Sequence, residues 1–576
     1  MRNKAEAERW FRLIQKNRID VFSSPIWSVT AMVIIAGLSV WLAVQVRFNE
    51  FWLDEAGQYW LSQGQHHFLD FGTENGSLSW EYLHQYNLDP PGFSGLLFLW
   101  TEIFPVTPQT LRLLPLMGTV GGLVAMVYFS FRFFSLPLVF GVALALSAAL
   151  ATPLRNLATE LRPYSFEFLA VIVTALALAN YSRKPSSKVS ATFIVLLPAI
   201  FLFTTRYSYV IAAISAAVAL TFMAWRLRTR QAVTNAALST IVAMIGVVFI
   251  WVTRASVVAS DDSVSYVSNF VLRDLGVSHA MMRAIFVNIV AGPQISFLGL
   301  AVIFLVGLVV RQRSHDKRSG FLVTWANSLA KDDTFQAVAT FIFTYLLGAI
   351  SLSALGIYPW YLSQKWSIGY VAVTYIAAIM MVSILLSILK ANDATSREIA
   401  EVPTSRARHR LLRVGVTGLV PALVGYSLLF YSTQPTREDD LLIAGTGTAE
   451  TVAQLREQAK TESAHWVIDH WLWPSVRMSA QLGGLEDELN TTDGFVSTGE
   501  FNLSDNVVSE FVAKEYVCRD STSFIVILRG TNDEWNMTLS ALEILAETTD
   551  CEFIIFPSDL TTLAIIQPTN SLANGH

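Results

Sequence analysis

Long apolar runs, separated by short polar segments, recur along most of the chain. Many runs contain about 20 residues, the length of a helix that crosses the ~30 Å hydrocarbon core of a bilayer. The pattern predicts eleven spans, at about 26–46, 109–133, 136–153, 163–181, 190–205, 207–225, 234–252, 292–310, 335–355, 367–389 and 413–432. We therefore predict a polytopic α-helical membrane protein.

The composition agrees with a protein that lies mostly in lipid. The chain has 576 residues, and only 15% of them are charged, whereas soluble domains carry about 25%. The mean hydropathy is +0.45. We expect a lipid bilayer as the surroundings and no nucleic-acid partner. The net charge of −5 says little by itself, because the charges are segregated along the chain.

The distribution of charge predicts the orientation. Residues 1–25 and the loops 311–333 and 390–412 are basic, and the segment 48–108 contains eight acids without any Lys or Arg. Because cytoplasmic loops carry an excess of positive charge, the N-terminus is expected inside and the acidic segment outside. Eleven spans then place the C-terminus outside. The expected location is the inner (cytoplasmic) membrane of a bacterium.

Two domains are predicted on this basis. Residues 1–432 form the transmembrane domain, which includes an external loop at 47–108, and residues 433–576 form an external, periplasmic domain. The tail alternates a helical stretch at 448–460 with strand-like runs at 465–469, 523–528 and 552–556. This alternation is typical of a small α/β domain.

A short apolar stretch lies within the external loop. Phe93–Phe104 follows Pro90-Pro91 and is too short to span a bilayer as a helix. We interpret it as a helix at the membrane surface, with Trp100 at the level of the headgroups.

An acidic pair, Asp54 and Glu55, follows the first predicted span. Ionisable groups at a membrane are expensive and are functional candidates by default. Neighbouring helical positions point about 100° apart, so one carboxylate is a candidate general base while the other binds a metal or caps a helix. A solvated helix start is the alternative interpretation.

Other charged residues flank the predicted spans. Asp89 is interpreted first as a cap of the surface helix. Glu160 is either a partner of a nearby cation such as Arg162 or a ligand of a divalent metal or substrate. Arg112 opens the second span, where pairing with a loop carboxylate is one interpretation.

Two further cations occupy tight external corners. Arg206 lies between two apolar runs, and Lys365 is flanked by Trp360, Tyr361 and Trp366. Each is a candidate for an anionic lipid phosphate, which Arg and Lys bind well. Snorkelling to ordinary headgroups is the alternative for both.

Several of these features occur in a characteristic order. An acidic pair follows span 1, Pro-Pro precedes a surface helix that ends in Leu-Trp-Thr-Glu-Ile-Phe, Arg-Leu-Leu-Pro enters span 2, and Glu-Leu-Arg-Pro-Tyr-Ser enters span 4. This order resembles the GT-C glycosyltransferases, above all the bacterial family-39-like enzymes related to protein O-mannosyltransferases and to the aminoarabinose transferase of lipid A. The resemblance covers about 45–180 and weakens beyond.

The resemblance implies a GT-C-like fold and transfer of a sugar from a polyprenyl-phosphate donor to an acceptor hydroxyl at the outer face. It implies Asp54 as the catalytic acid-base residue, with Glu55 beside it. A divalent metal, Mg or Mn, would bind at Glu160 and Glu55, although many relatives have Asp at the former position. Asp89 stands where relatives often have His or Lys.

The binding residues complete the predicted site. Candidates for the donor phosphate are Arg206, Lys365 and Arg162. Candidates for substrate contacts are Asp89, Arg112 and Tyr361. The acceptor is a hydroxyl on a protein, a lipid or a glycan, and the expected mechanism is inverting with Asp54 as the base.

Two other function classes fit a polytopic membrane protein. A lipid or sugar transporter or flippase would require polar residues at mid-span along a pathway, and few charges lie deep in the predicted spans. A non-catalytic protein of envelope assembly would tolerate replacement of Asp54.

Overall fold

The computed structural model describes residues 37, 53–63, 90–258, 332–354 and 368–384, together with five strands between 464 and 568. Its helices are α1 (Leu53–Ser62), α2 (Pro91–Ile103), α3 (Pro108–Phe134), α4 (Leu138–Leu150), α5 (Thr152–Leu157), α6 (Tyr164–Arg183), α7 (Lys188–Thr204), α8 (Val210–Leu227), α9 (Arg230–Val258), α10 (Asp333–Ala354) and α11 (Ile368–Ile384). A short 3₁₀ helix, Tyr207–Tyr209, precedes α8.

Five of these segments are long and apolar enough to cross a membrane. They are Pro108–Phe134, Tyr164–Arg183, Tyr207–Leu227, Arg230–Val252 and Asp333–Leu352. The prediction of a polytopic helical membrane protein is confirmed. The predicted spans at 26–46, 292–310 and 413–432 lie outside the described residues, so the number of eleven stays a prediction.

The structure differs from the prediction at one span and at the loop that follows it. The run at 136–153 forms α4, which has only 13 residues. The predicted loop at 154–162 begins inside a second helix, α5, whose first turn contains a proline. Proline is favoured in the first turn of a helix, because its missing N–H has no helical partner there. Pro153 therefore starts a new helix rather than a loop.

Glycines allow α3 and α6 to pack closely. A Cβ built on Gly122 would come within 2.5 Å of the Phe168 ring, and one on Gly118 would come within 2.9 Å of Ser165 Oγ. Glycines four residues apart let the backbones of membrane helices approach each other. Leu116, Leu123 and Met126 of the same apolar run pack in the helical core.

Hydrogen bonds between side chains also join the helices. Ser147 and Tyr375 lie 2.9 Å apart through their hydroxyls, and Asn235 donates to the Tyr181 hydroxyl at 3.0 Å. Such bonds are found between membrane helices, where each contributes about 0.6 kcal/mol on average. They fix the helices in register without adding charge to the core.

The described strands form one mixed sheet. Strands β1 (Ala464–Ile468), β2 (Val496–Ser497), β3 (Ser523–Arg529), β4 (Cys551–Pro557) and β5 (Thr561–Pro568) lie in the order β2-β1-β3-β5-β4. Strand β1 is parallel to both of its neighbours, and β5 is antiparallel to both of its own. The three predicted strand-like runs are strands. The helical stretch at 448–460 lies outside the described residues, so the α/β organisation stays a prediction.

The described residues divide into two compact units. One contains 115–159, 163–258, 332–354 and 368–384, and the other contains 53–63, 90–114, 160–162 and the five strands. In this grouping the described parts of the predicted external loop and the strands belong to the same unit. The domain boundary at 432/433 stays a prediction.

Candidate functional site

The acidic pair predicted as the functional centre lies near the beginning of the described part of α1. The side chain of Glu55 is fully buried. Asp54 belongs to the same turn of backbone, and its side chain is outside the described part of the structure. The two neighbouring acids are therefore placed in a helix, as the sequence predicted.

Glu55 is held by a cation far away in the sequence. Arg112 Nε donates to Glu55 Oε1 at 3.1 Å, and a terminal guanidinium nitrogen of Arg112 donates to Oε2 at 2.6 Å. The Arg112 side chain is 5% exposed. Two parallel charge-assisted bonds of this kind are stronger and more directional than a single contact. Pairing of Arg112 with a carboxylate of the predicted external loop is thus observed.

A third segment contacts the same carboxylate. The backbone N–H of Leu161 donates to Glu55 Oε1 at 3.0 Å. Leu161 lies between Glu160 and Arg162, two other residues that the sequence suggested, and the side chain of Glu160 is almost fully buried. The carboxylate of Glu55 therefore joins three segments: α1, the start of α3 and the segment 160–162.

Polar contacts connect α1 with α2. Gln58 Nε2 donates to Ser94 Oγ at 2.8 Å in a buried environment, and Gln63 Nε2 donates to Thr101 Oγ1 at 3.1 Å. Gln58 lies one turn after Glu55. Helix α2 is thereby fixed to the helix that carries the acidic pair.

Helix α2 has the length predicted for the surface helix but a different start. Its N-cap is Pro90 and its first residue is Pro91, so Asp89 lies one position before the cap and outside the described residues. Because Asp89 is outside the described residues, its interpretation as a cap of this helix stays a prediction. Leu99 and Ile103 are 58% and 72% exposed, which suits a helix that rests on a bilayer surface.

A second buried charge pair lies in the other unit. Arg206 approaches Glu167 Oε2 at 3.8 Å, and its guanidinium carbon lies 4.6 Å from the centre of the Tyr164 ring. The Ser208 hydroxyl donates to Glu167 Oε1 at 2.7 Å. Arg206 is only 6% exposed. This burial differs from the snorkelling alternative, in which the guanidinium would extend to the headgroups.

Sequence reasoning missed Glu167. It had a signal, since Glu167 is the one acid inside the apolar run that forms α6, and a lone acid in a membrane helix calls for a partner. The partner, Arg206, was singled out without its acid. Lys365 and Tyr361 lie outside the described residues.

The predicted metal site is not assembled by the described residues. Among them, no three His, Cys, Asp or Glu side chains come together. Both oxygens of Glu55 are engaged by Arg112, and one of them also accepts the Leu161 N–H. A divalent metal at Glu55 and Glu160 stays a prediction, and no step of the reaction below depends on it.

No protein-family model and no curated protein matches the chain. Among solved structures, it is similar to ArnT from Cupriavidus metallidurans in the apo state, with a TM-score of 0.49, 11% identity and coverage of 93% of this chain and 98% of ArnT. ArnT bound to undecaprenyl phosphate gives the same score and identity, with coverage of 94% and 98%.

An archaeal protein is similar over a smaller part. It is the Archaeoglobus fulgidus oligosaccharyltransferase, solved with Zn and sulfate, with a TM-score of 0.41, 12% identity and coverage of 77% of this chain and 61% of that protein. At this identity, residue roles have to be argued from the geometry of the chain itself.

Proposed function

We propose that the chain is a membrane glycosyltransferase. It transfers a sugar from a polyprenyl-phosphate donor to a hydroxyl of a protein, lipid or glycan acceptor, on the outer face of the membrane. The reaction is a single inverting displacement with Asp54 as the general base. The observation that supports this proposal best is the buried contact of Glu55 with Arg112 and Leu161.

This contact fixes the backbone next to Asp54. Burying an ion pair adds little net stability unless its geometry is good, so the value of this pair lies in what it holds in place. It fastens the beginning of the described part of α1 to the start of α3 and to the segment 160–162. A catalytic carboxylate requires such a rigid support, because small displacements of a reacting group lower the rate strongly.

The two neighbouring acids then have separate tasks. Glu55 is a positioning residue, since its oxygens are engaged within the protein. Helix geometry places the preceding position about 100° away around the axis. Asp54 is assigned as the base that removes the proton of the acceptor hydroxyl. General-base catalysis of this kind contributes about 10²–10⁴-fold in rate.

The donor determines the remaining requirements. Its phosphate is a good leaving group and needs a cation rather than a strong acid. Arg206, Lys365 and Arg162 are the proposed phosphate-binding residues, because guanidinium and ammonium groups form strong charge-assisted bonds to phosphate. Asp89 and Tyr361 remain proposed substrate contacts. Arg112 is assigned to Glu55, and a direct contact between Arg112 and the substrate stays a prediction.

The Asp54→Asn variant tests the base. It retains the shape of the side chain and removes its charge, so it should fold, bind a polyprenyl-phosphate sugar and lose transfer by about 10²-fold or more. Glu102→Gln is the matched control, because Glu102 is an exposed acid on α2, and it should retain full transfer. The assay follows consumption of the labelled donor by purified protein in nanodiscs with an envelope extract as the acceptor source. Near-normal transfer by Asp54→Asn would reject the assignment.

The stereochemistry of the product is an independent test. A single displacement inverts the anomeric configuration of the donor, whereas a covalent glycosyl–enzyme intermediate would retain it. The configuration can be determined by NMR of the isolated product. A retained configuration would contradict the mechanism even if Asp54 proved essential.

The orientation in the inner membrane is also part of the proposal. Reporter fusions at positions 70, 320 and 450 should be external, cytoplasmic and external, in line with the distribution of basic residues. A cytoplasmic signal at 450 would contradict the number of eleven spans and the external location of the tail.

A further inference from the structure

Glu167 is a buried acid in a membrane-spanning segment to which the proposed reaction gives no task. It lies in the first turn of α6, and its side chain is 1% exposed. Acids within membrane segments are rare, and they usually face the interior of the bundle and mark a functional site. Its partner is Arg206, the residue proposed above to bind the donor phosphate.

The contacts hold Arg206 in a defined place. The nearest nitrogen of Arg206 lies 3.8 Å from Glu167 Oε2, which is longer than the usual N–H···O distance of about 2.7–3.2 Å. The guanidinium also lies over the face of Tyr164, at 4.6 Å from the ring centre. Both contacts attract the positive charge of the guanidinium. Glu167 therefore attracts the same charge that a phosphate bound at Arg206 would contact.

Glu167 is held in place by a short hydrogen bond and by close packing. Ser208 donates to its Oε1 at 2.7 Å. Helix α11 approaches the same carboxylate, since a Cβ built on Gly369 would lie 2.8 Å from Glu167 Oε1 and would overlap the Tyr345 hydroxyl. Only a glycine leaves room at this position. The carboxylate is thus enclosed by α6, the segment before α8, α10 and α11.

We infer that Glu167 is a positioning residue that competes with the lipid phosphate for Arg206. The inference rests on the proposed function and extends it. In the free protein, Glu167 holds the guanidinium above Tyr164. A donor phosphate takes over part of that attraction, and the fixed negative charge of Glu167 limits how tightly the phosphate binds.

Such a limit serves turnover. After transfer, the product is the polyprenyl phosphate, which still carries its phosphate and still binds Arg206. If Arg206 had no competing anion, the product would leave slowly and would inhibit the next cycle. Glu167 supplies this competition from within the protein and needs no second ligand.

The Glu167→Gln variant gives the decisive test. Glutamine retains the shape and the oxygen that accepts the Ser208 hydroxyl, and it removes the negative charge. Two like charges several ångströms apart in a protein repel strongly at an effective dielectric constant of about 20, so the Kd for undecaprenyl phosphate should fall on the order of tenfold. The KM for the donor and kcat should fall together, because product release becomes slower.

Three further variants define the controls. Arg206→Ala should bind undecaprenyl phosphate at least tenfold more weakly, and the double variant Arg206→Ala/Glu167→Gln should behave like Arg206→Ala alone. Tyr181 is in the same helix as Glu167, 14 residues further on and hence about 21 Å along the axis. Tyr181→Phe removes the buried hydrogen bond that Asn235 donates to the Tyr181 hydroxyl. It should leave the Kd unchanged.

The direction of the effect separates this role from a structural one. A defect in packing weakens binding, whereas loss of a competing charge strengthens it. Binding is measured by displacement of a fluorescent polyprenyl phosphate in phosphatidylcholine nanodiscs, and unfolding of each variant is measured in parallel. If the wild type binds undecaprenyl phosphate but the Kd of Glu167→Gln is unchanged or raised, this inference is overturned and the proposed function is not.

Two other outcomes concern the ligand. If the wild type bound no polyprenyl phosphate, both the proposed function and this inference would be overturned. If phosphatidylglycerol displaced the probe with the same efficiency as undecaprenyl phosphate, the site would bind ordinary lipid headgroups. The inferred competition between Glu167 and the donor phosphate would then be rejected. We expect a clear preference for the polyprenyl phosphate in the wild type and in Glu167→Gln.

Discussion

The pair of Glu55 and Arg112 can be tested by a double-mutant cycle. The variants are Glu55→Ala, Arg112→Ala and the combination of both. Each single variant removes one half of an ion pair that is buried, since the two side chains are 0% and 5% exposed. Removing one partner of a buried pair destabilises a protein by about 3–5 kcal/mol, because the remaining charge stays desolvated.

The double variant should be less destabilised than the sum of the two. If the effects were independent, the singles would add to about 6–10 kcal/mol. The combination removes both charges together, and it leaves a cavity and the Leu161 N–H without the acceptor that Glu55 supplies. An unsatisfied buried donor contributes about 1–3 kcal/mol. We therefore expect a coupling energy of at least about 2 kcal/mol between the two positions.

The free energy of unfolding can be followed by tryptophan fluorescence during titration with dodecyl sulfate in mixed micelles, since the chain contains 16 Trp. Activity provides the second readout: the double variant should remain folded and still transfer poorly, because the backbone next to Asp54 has lost its support. A coupling energy below about 0.5 kcal/mol, the range seen for independent sites, would refute the reasoning. So would full transfer activity in the double variant.

A charge swap distinguishes simple attraction from the full geometry. In Glu55→Arg/Arg112→Glu the two charges are exchanged, so attraction alone would restore stability. Arginine has no acceptor atom for the Leu161 N–H, so this buried donor loses the partner that Glu55 supplies. We expect the swapped protein to stay destabilised by about 1 kcal/mol or more.

Two other outcomes can be checked separately. Gly122→Leu should destabilise the protein by about 1–3 kcal/mol, because even a Cβ would overlap Phe168, whereas Gly95→Ala, which meets no atom within 4 Å, should be tolerated in the same unfolding assay. Cys518 and Cys551 are expected to form a disulfide if the tail is exported to an oxidising compartment; equal non-reducing gel mobility of the wild type and Cys518→Ser, with both thiols alkylated after denaturation, would contradict this.

The long helices could be predicted from the sequence because their pattern is local. The run at 163–181 became Tyr164–Arg183, and the run at 335–355 became Asp333–Ala354. Each boundary moved by only a residue or two. A continuous apolar run of about 20 residues leaves the backbone little choice in lipid, since every N–H and C=O has to be satisfied within the segment.

The pairs of charges could not be predicted because they depend on contacts distant in the sequence. Arg112 and Glu55 are 57 residues apart, and nothing local identifies which of the eight acids of the first loop is the partner. The order of the strands also depends on contacts between segments that are distant in the sequence. The apolar pattern of β3 predicts a strand, but it does not show that one neighbour is parallel and the other antiparallel.

Glu55 and Glu167 are tolerated as buried acids because each has an arginine close to it. Glu167 lies in the first turn of α6, where the partial positive charge of the helix N-terminus stabilises an acid by about 0.3–1 kcal/mol and by up to ~2 kcal/mol when it is partly buried. Glu55 accepts two short bonds from Arg112 and one from the Leu161 N–H, an arrangement that suits a fixed support. Arg206 lies 3.8 Å from Glu167 Oε2. At this distance the charge of Glu167 still attracts the guanidinium, and this is the attraction that the Glu167→Gln variant removes.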